Sequence, residues 1–211
     1  MTLTIPGPAG PLEALLDEPA PAHAPPALRA AVVFAHPHPP QGGTMHTKVV
    51  YQGTKGLTRI GCAVLRFNFR GVGASAGDYD EGRGEAADFR AALEFMAARY
   101  PGTPLWAAGF SFGAWIALEV GAADPRVSVL IGIAPPITRQ NYTFEHILTS
   151  TKPKFFVQGD LDEVCPIRDL RAFYAKLPEP KELVEVDGAN HLFEGKTVEL
   201  GEVLEGLLAD S

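Results

Sequence analysis

The chain has 211 residues, of which 46% are hydrophobic and 20% charged, and its formal net charge is −7. This composition is that of a globular protein and excludes general disorder, while the acidic balance excludes nucleic acid and anionic membranes as main partners. We expect one domain, residues 1–211, because this length supports one sizeable core and is short for two.

The start of the chain lacks the charged residues and apolar run of a secretory signal, and no apolar stretch approaches the roughly 20 residues of a membrane helix. The two cysteines, Cys62 and Cys165, are too few for a disulfide framework and lack CxxC spacing. We therefore expect a reduced, cytoplasmic protein that does not bind membranes.

The first predicted element is an antiparallel hairpin. Apolar runs at residues 3–5 and 12–18 flank the turn-forming sequence PGPAGP. The proline-rich sequence PAPAHAPP, residues 19–26, follows and has no periodicity, so we expect a surface loop there.

The rest of the chain alternates apolar runs with helical stretches. Continuous apolar runs predict buried, parallel strands at residues 30–35, 62–69, 104–110, 127–133, 154–159 and 181–186. Helices are expected between them, at residues 46–59, 83–99, 112–122, 167–176 and 195–208. Together with the hairpin, this pattern predicts an α/β fold with a mostly parallel, eight-stranded sheet and helices on both faces. Ligands of such folds bind at the carboxyl ends of the strands.

The strongest functional signal is the sequence GFSFG, in which Gly109, Ser111 and Gly113 form a G-x-S-x-G pattern between a predicted strand and a predicted helix. This context is typical of a nucleophile elbow, a sharp turn that exposes the central serine hydroxyl. Side chains at the two flanking positions would collide with neighbouring elements, which explains the glycines.

A serine hydroxyl is a weak nucleophile and needs a base that is itself oriented by an acid. The order expected after such an elbow is serine, then acid, then histidine. His191 lies in a loop after the last predicted strand and is the only histidine beyond His146, so it is the predicted base.

Two candidate acids, Asp160 and Asp162, come just beyond a strand end. We favour Asp162, because Asp160 directly follows Gly159 and suits the turn itself. Asp187 and Glu163 are weaker candidates.

The chain resembles the α/β-hydrolase superfamily, and within it the small, lidless bacterial serine hydrolases and esterases of the dienelactone-hydrolase-like group. The motifs HPHPPQGGTM, RFNFRGVGASAG, GFSFG, GDLDEVCP and GANHLF carry this resemblance and occur in the family's order. In this family the acid commonly follows G-x-x-D, which corresponds to Gly159 and Asp162. The resemblance implies an α/β-hydrolase fold but not a particular substrate.

The histidine-rich motif has two interpretations. The resemblance implies that the loop after the first parallel strand supplies half of an oxyanion hole. Pro37 and Pro39 have no N–H, so the backbone amide of His38 is the natural donor, and the amide of Phe112 is the second. The alternative is a metal site formed by His36, His38 and His46. An H-x-H pair without a nearby carboxylate is a weak metal signature, so we expect no metal.

The glycines of RFNFRGVGASAG superficially resemble a dinucleotide-binding turn. Their spacing is G-x-G-x-x-x-G, and a polar loop follows where a helix should open, so a nicotinamide oxidoreductase is the disfavoured alternative. The family resemblance implies instead that Arg70 and Ser75 hold the structure of this loop. The family often has an aspartate where this chain has Asn68.

A cap domain is not expected. Only about 20 residues separate the strand at residues 127–133 from the next strand, which suits one short helix. We therefore expect an open, shallow cleft lined by Phe110, Phe112, Tyr142 and Phe144.

These features predict a serine hydrolase that cleaves small acyl esters through a Ser111–His191–Asp162 triad and an acyl-enzyme, without a cofactor. A thioesterase or peptidase using the same triad is the alternative among hydrolases, and a noncatalytic α/β-hydrolase binding scaffold is the alternative outside enzymes. The expected partner is a small-molecule ester or thioester, and the expected assembly is a monomer or a homodimer.

Overall fold

The computed structural model describes residues 2–20 and 27–209. It has the expected α/β architecture, with eight strands and five α-helices. The strands are β1 (Thr2–Gly7), β2 (Gly10–Asp17), β3 (Ala31–Ala35), β4 (Ala63–Phe67), β5 (Leu105–Phe110), β6 (Val127–Ile133), β7 (Lys154–Gly159) and β8 (Lys181–Val186). The helices are α1 (Lys48–Arg59), α2 (Arg83–Arg99), α3 (Phe112–Ala123), α4 (Ile167–Tyr174) and α5 (Thr197–Leu208).

All eight strands belong to one sheet, in the order β1-β2-β4-β3-β5-β6-β7-β8. The hairpin strand β2 pairs antiparallel with both β1 and β4, and every pair from β4 to β8 is parallel. The carboxyl ends of β3 to β8 therefore lie along one edge of the sheet, and the loops that follow them meet there.

The hairpin turn is shorter than the sequence PGPAGP predicts. Pro6 and Pro11 lie opposite each other in the paired strands, which leaves only Pro8 and Ala9 between the two strands. A proline fits a strand wherever no partner needs its N–H. β1 is an edge strand, and β2 pairs with β4 only over Ala14–Asp17, so both prolines sit where no such donor is required.

The core has two layers, one on each face of the sheet. Along β3, Val33 belongs to the layer packed by α2, α3 and α4, whereas Val32 and Phe34 belong to the layer packed by α1 and α5. This alternation follows from the two-residue period of a strand, and both faces are apolar because helices cover both.

The segment between β6 and β7, residues 134–153, contains turns and bends but not the short helix that its length allows. Pro135 and Pro136 open the segment and supply no backbone donors. Two side chains of α3 hold it instead: the Glu119 carboxylate accepts from the amides of His146 and Ile147, and the Trp115 indole donates to a carbonyl of the segment. The segment builds no cap domain.

Residues 21–26 of the proline-rich stretch, for which we expected a surface loop, lie outside the described residues. Among the helices that the structure describes, none is both long and apolar enough to cross a membrane.

Candidate active site

The connection between β5 and α3 is a sharp turn at Ser111. β5 ends at Phe110, α3 begins at Phe112, and Ser111 between them has φ 53° and ψ −120°. A non-glycine residue in such a conformation costs about 1–3 kcal/mol and persists only where its surroundings impose it. Here the Ser111 amide donates to the Ile133 carbonyl at 2.9 Å, and the Ser111 carbonyl accepts from the Ala114 amide at 2.8 Å.

Both flanking glycines are required by close backbone contacts. A Cβ atom on Gly109 would lie 2.1 Å from the carbonyl oxygen of Gly113. A Cβ atom on Gly113 would lie 2.5 Å from the carbonyl oxygens of Ala35 and His36. The explanation that the sequence offers for these glycines is confirmed, and the second contact ties the turn directly to the loop after β3.

A chain of hydrogen bonds joins the Ser111 hydroxyl to two side chains from neighbouring loops. The Oγ of Ser111 lies 2.9 Å from Nε2 of His191, and Nδ1 of His191 lies 2.8 Å from Oδ2 of Asp162. The carboxylate accepts hydrogen bonds, so Nδ1 carries the proton, and Nε2 accepts from the serine hydroxyl. This is the geometry in which an imidazole can take up a serine proton.

Asp162 is held by its own loop as an acceptor. Its Oδ1 accepts from the amides of Val164 and Cys165, each at 2.8 Å, and its Oδ2 also accepts from the Gln158 side chain at 2.7 Å. The side chain has no exposed surface. Three donors besides His191 thus fix the carboxylate and satisfy it in a buried position.

The other candidate acids have different positions. Asp160 donates its amide to the Val186 carbonyl, and its buried Oδ1 atom has no hydrogen-bond partner among the described residues. The amide of Leu161 donates to the Ala189 carbonyl at 3.0 Å, which joins the loop after β7 to the loop after β8. The structure therefore brings Asp162, rather than Asp160, to His191.

The loop of residues 36–43, the histidine loop, lies beside Ser111. His36 has no exposed surface, its Nδ1 lies 2.7 Å from the Pro37 carbonyl, and its Nε2 lies 3.1 Å from the Phe69 amide. Nδ1 donates to the carbonyl and Nε2 accepts from the amide, so the ring is neutral. Burial lowers the pKa of His36 to about 4.

His38 is engaged through its carbonyl and its ring. The carbonyl accepts from the amides of Gln41 and Gly43, each at 3.1 Å, whereas the His38 amide has no acceptor among the described residues. The Phe112 amide belongs to the first residue of α3, where an N–H has no partner within the helix. The two predicted oxyanion donors therefore both have free N–H groups.

The ring of His36 is not available as a metal ligand. Both ring nitrogens of His36 are used in hydrogen bonds within the protein, so neither is free to bind a metal. In the part of the chain that the structure describes, His, Cys, Asp and Glu side chains form no group of three that could hold a metal ion.

Phe112 and Tyr142 lie at the site as part of an aromatic cluster. The Phe112 ring is 5.9 Å from the ring of Tyr142, which stacks on Trp115 at 4.2 Å and 12°. The ring of Phe112 also contacts those of His38 and Tyr79, at centroid distances of 5.4 and 6.1 Å. Sequence reasoning missed Tyr79 and Trp115, and an isolated aromatic residue in the polar sequence GDYDEG was the only available signal for Tyr79.

Three of the predicted cleft residues are buried in the core instead. Phe110 has no exposed surface and packs beneath His191, with ring centroids 5.4 Å apart. Phe112 is only 1% exposed, and Phe144 is also buried and packs against Phe173 at 5.3 Å. These positions correct the expectation that Phe110, Phe112 and Phe144 line the cleft: Phe110 supports the imidazole from the core layer of α1 and α5, and the other two belong to the opposite layer.

The loop after β4 has the structural role that we expected. Arg70 forms an ion pair with the buried Asp88 at 2.8 Å, and the Ser75 hydroxyl donates to the Asn68 carbonyl at 2.6 Å. The Asn68 side chain accepts from the Met45 amide and donates to the Glu13 carboxylate. An aspartate at this position would place a second carboxylate against Glu13, which explains the departure from the family pattern.

Two cavities lie away from Ser111. They have volumes of about 350 and 170 Å³ and lie along α2 and α3, and residues such as Arg90 and Val120 line both. Neither Ser111 nor His191 contributes to them. These two cavities are therefore separate from the Ser111 site.

Comparisons with known proteins show which family the chain is similar to. A family model described as serine aminopeptidase, S33, matches residues 26–152, more than half of the chain. The uncharacterized protein RP471 of Rickettsia prowazekii is 35% identical over 209 residues, which are 96% of this chain and 86% of that protein. The α/β-hydrolase domain-containing protein 17C of Xenopus tropicalis is 28% identical over 79% of this chain, which spans only 57% of that relative.

Two solved structures are similar over nearly the whole chain. An α/β serine hydrolase homologue from Coxiella burnetii has a TM-score of 0.91 and 38% identity, and the match covers 99% of this chain and 97% of that one. A serine hydrolase without lid from Xanthomonas campestris has a TM-score of 0.89 and 38% identity, and the match covers 98% and 92%. These similarities confirm the resemblance that the sequence motifs indicate.

Proposed function

Because this chain belongs to the α/β-hydrolase superfamily, in the family described as serine aminopeptidase, S33, we propose that it is a serine hydrolase that cleaves small acyl esters. The observation that carries the proposal is the continuous hydrogen-bonded chain from Ser111 through His191 to Asp162. A carboxylate, an imidazole and a serine in this order are the parts needed to activate a hydroxyl nucleophile.

In the proposed first step, Ser111 Oγ attacks the acyl carbonyl and its proton passes to His191 Nε2. The carbonyl oxygen becomes an oxyanion, which the amides of His38 and Phe112 stabilise. Asp162 stabilises the charged imidazole through its bond to Nδ1, and the buried carboxylate is kept in place by its other donors.

In the second step, His191 gives the proton to the leaving alkoxide, and the alcohol departs to leave Ser111 esterified. Water then attacks the acyl-enzyme while His191 accepts a water proton, and collapse of the second oxyanion releases the carboxylic acid and free Ser111. This sequence consumes one water and needs no cofactor.

We propose small or flexible acyl esters because the segment after β6 forms no cap domain. The half-buried Tyr142, which packs on the ring of Phe112, offers an aromatic surface for the acyl or alcohol group. The same machinery accepts thioesters and amides in principle, and an amide differs because its leaving amine must be protonated as it departs. Turnover on matched ester, thioester and amide substrates will therefore show which of the three the protein prefers.

The first experiment is reaction with a fluorophosphonate, followed by intact mass measurement and peptide mapping. We expect one adduct, located on Ser111, and no adduct on the Ser111→Ala variant. Turnover should then be compared on an ester, a thioester and an amide with the same acyl group. Folded protein that takes up no fluorophosphonate would contradict the proposal and favour a noncatalytic binding scaffold.

A further inference from the structure

The histidine loop must hold the His38 amide in one direction with few backbone hydrogen bonds. Pro37, Pro39 and Pro40 have no N–H, so these residues cannot donate to a neighbouring strand or turn. Two backbone bonds of the loop are made to the carbonyl of His38 and one to the carbonyl of Pro39, while the His38 amide must stay free to act as an oxyanion donor. Side chains therefore have to supply the hydrogen bonds that the prolines cannot make.

The first of these side chains is the buried ring of His36. It binds its own loop at the Pro37 carbonyl and the neighbouring loop at the Phe69 amide. The ring thus holds Pro37, the residue before His38, from the buried side of the loop. It does not reach the outer side of the loop, where the His38 side chain lies.

The second side chain is Tyr79, which comes from the loop before α2. Its hydroxyl oxygen lies 2.9 Å from Nε2 of His38, and the two rings meet edge to face at 5.2 Å and 84°. Both rings also contact Phe112, the residue whose amide is the other proposed donor. The Tyr79 hydroxyl thus restrains the ring of His38, which the backbone bonds of the His38 carbonyl do not reach.

Tyr79 is itself held firmly. Its neighbour Asp80 donates its amide to the carboxylate of Glu85, a residue with no exposed surface in the first turn of α2. Burial raises the pKa of Tyr79 to about 12, so the hydroxyl keeps its proton at neutral pH. Burial likewise lowers the pKa of His38, which keeps the ring neutral and able to share one proton with the tyrosine.

We propose that Tyr79 is a positioning residue for this reaction: its hydroxyl holds the His38 ring, and thereby the direction of the His38 amide towards the oxyanion. This inference rests on the proposed function. It assigns a role to the loop of residues 78–80, which the proposed mechanism otherwise does not use, and it places no atom of Tyr79 on the substrate.

The test compares Tyr79→Phe with Tyr100→Phe in the whole protein. Each substitution removes one tyrosine hydroxyl and one hydrogen bond, but the Tyr100 hydroxyl binds Glu18 at 2.7 Å, away from Ser111. With a p-nitrophenyl ester we expect Tyr79→Phe to lower kcat about tenfold with KM unchanged, since a misdirected donor loses part of the 10² to 10³ that one oxyanion contact supplies. Tyr100→Phe should keep the wild-type kcat, and both variants should have similar Tm values.

A trifluoromethyl ketone separates positioning from general stability, because it forms a tetrahedral oxyanion on the active serine. Its inhibition constant should rise by the same factor by which kcat/KM falls in Tyr79→Phe. A methyl ketone of the same shape, which stays trigonal, should bind both proteins equally.

The His38→Ala variant removes the ring and keeps the backbone amide. In that background, Tyr79→Phe should cause no further loss of kcat. An undiminished tenfold loss there would overturn the inference, because Tyr79 would then act on the substrate directly. Equal kcat values for Tyr79→Phe and Tyr100→Phe would overturn it as well. A wild-type protein that hydrolyses no ester would instead overturn the proposed function, and this inference with it.

Discussion

The turn at Ser111 and the histidine loop lie side by side, but they are held in different ways. The turn is fixed by backbone sterics, because Gly109 and Gly113 leave no room for a Cβ atom and Ser111 is forced into a positive φ. The histidine loop has three backbone bonds of its own and depends in addition on hydrogen bonds of its rings, because its prolines cannot donate. One donor of the proposed oxyanion hole, the Phe112 amide, therefore depends on backbone shape. The other donor, the His38 amide, depends on the protonation state of the histidine rings in its loop.

The largest expected effect is chemical and leaves both regions in place. Asp162→Asn should lower kcat by about 10⁴, because an amide in this position cannot stabilise the charged imidazole or fix its tautomer. Asp160→Asn is the matched control, since its carboxylate does not contact His191, and it should keep most of the activity. Ester turnover measured on both variants tests the assignment, and equal losses would contradict it.

Gly113→Ala should disturb the Ser111 turn and the histidine loop together, because the new methyl group meets the carbonyl oxygens of Ala35 and His36. Backbone cannot yield as a side chain can, so we expect a loss of about 3 kcal/mol in the free energy of unfolding. Gly206→Ala is the control, because nothing lies within 4 Å of its Cβ position on α5, and it should gain about 0.5–1 kcal/mol. Urea unfolding of both variants provides the measurement, and two equally stable proteins would refute the steric argument.

The histidine loop should make stability depend on pH. The pKa of His36 is about 4 in the folded protein, against 6.5 for an unperturbed histidine. Above pH 6.5 the ring is neutral in both states and contributes nothing. Between pH 6.5 and 4 only the unfolded chain takes up the proton, so folding loses stability as the pH falls, by up to about 3 kcal/mol near pH 4.

His36→Gln isolates this contribution. The glutamine carbonyl can still accept from the Phe69 amide, but the side chain does not titrate. The unfolding free energy of the variant, measured from pH 7.5 to 4.5, should be lower at neutral pH and fall less steeply than that of the wild type. Parallel curves for the two proteins would show that His36 does not titrate between the two states.

The shape-dependent region could be predicted from the sequence, and the hydrogen-bonded region only in part. The two glycines of GFSFG indicate a turn too tight for side chains, and the apolar runs predict the strand before it and the helix after it. The sequence favours Asp162 over Asp160 because Asp160 suits the turn after Gly159 and because the family resemblance implies a G-x-x-D pattern. The donors that fix Asp162, the Gln158 side chain and the amides of residues 164 and 165, become visible only in the folded turn.

The remaining features depend on contacts between distant parts of the chain. The bond between His38 and Tyr79 joins residues 41 positions apart, and no periodic pattern in the sequence predicts it. The burial of Phe110, Phe112 and Phe144 depends on which elements pack over each ring, and the sequence pattern alone does not show this. The short helix expected after β6 is absent because Pro135 and Pro136 open that segment and Glu119 captures the amides of its middle.

The bond between the amide of Leu161 and the carbonyl of Ala189 joins the two loops that follow β7 and β8, just beyond the last paired residues of these strands. Asp162 and His191 therefore extend from neighbouring strands, which lie about 4.8 Å apart, and the bonds of the Asp162 loop set the rest of their separation. Motion that parts the acid from the base has to disturb the contact between these loops at the end of the sheet. The proton-transfer pair is thus tied to the sheet, and we expect substrates of different shape to be accommodated at the segment after β6.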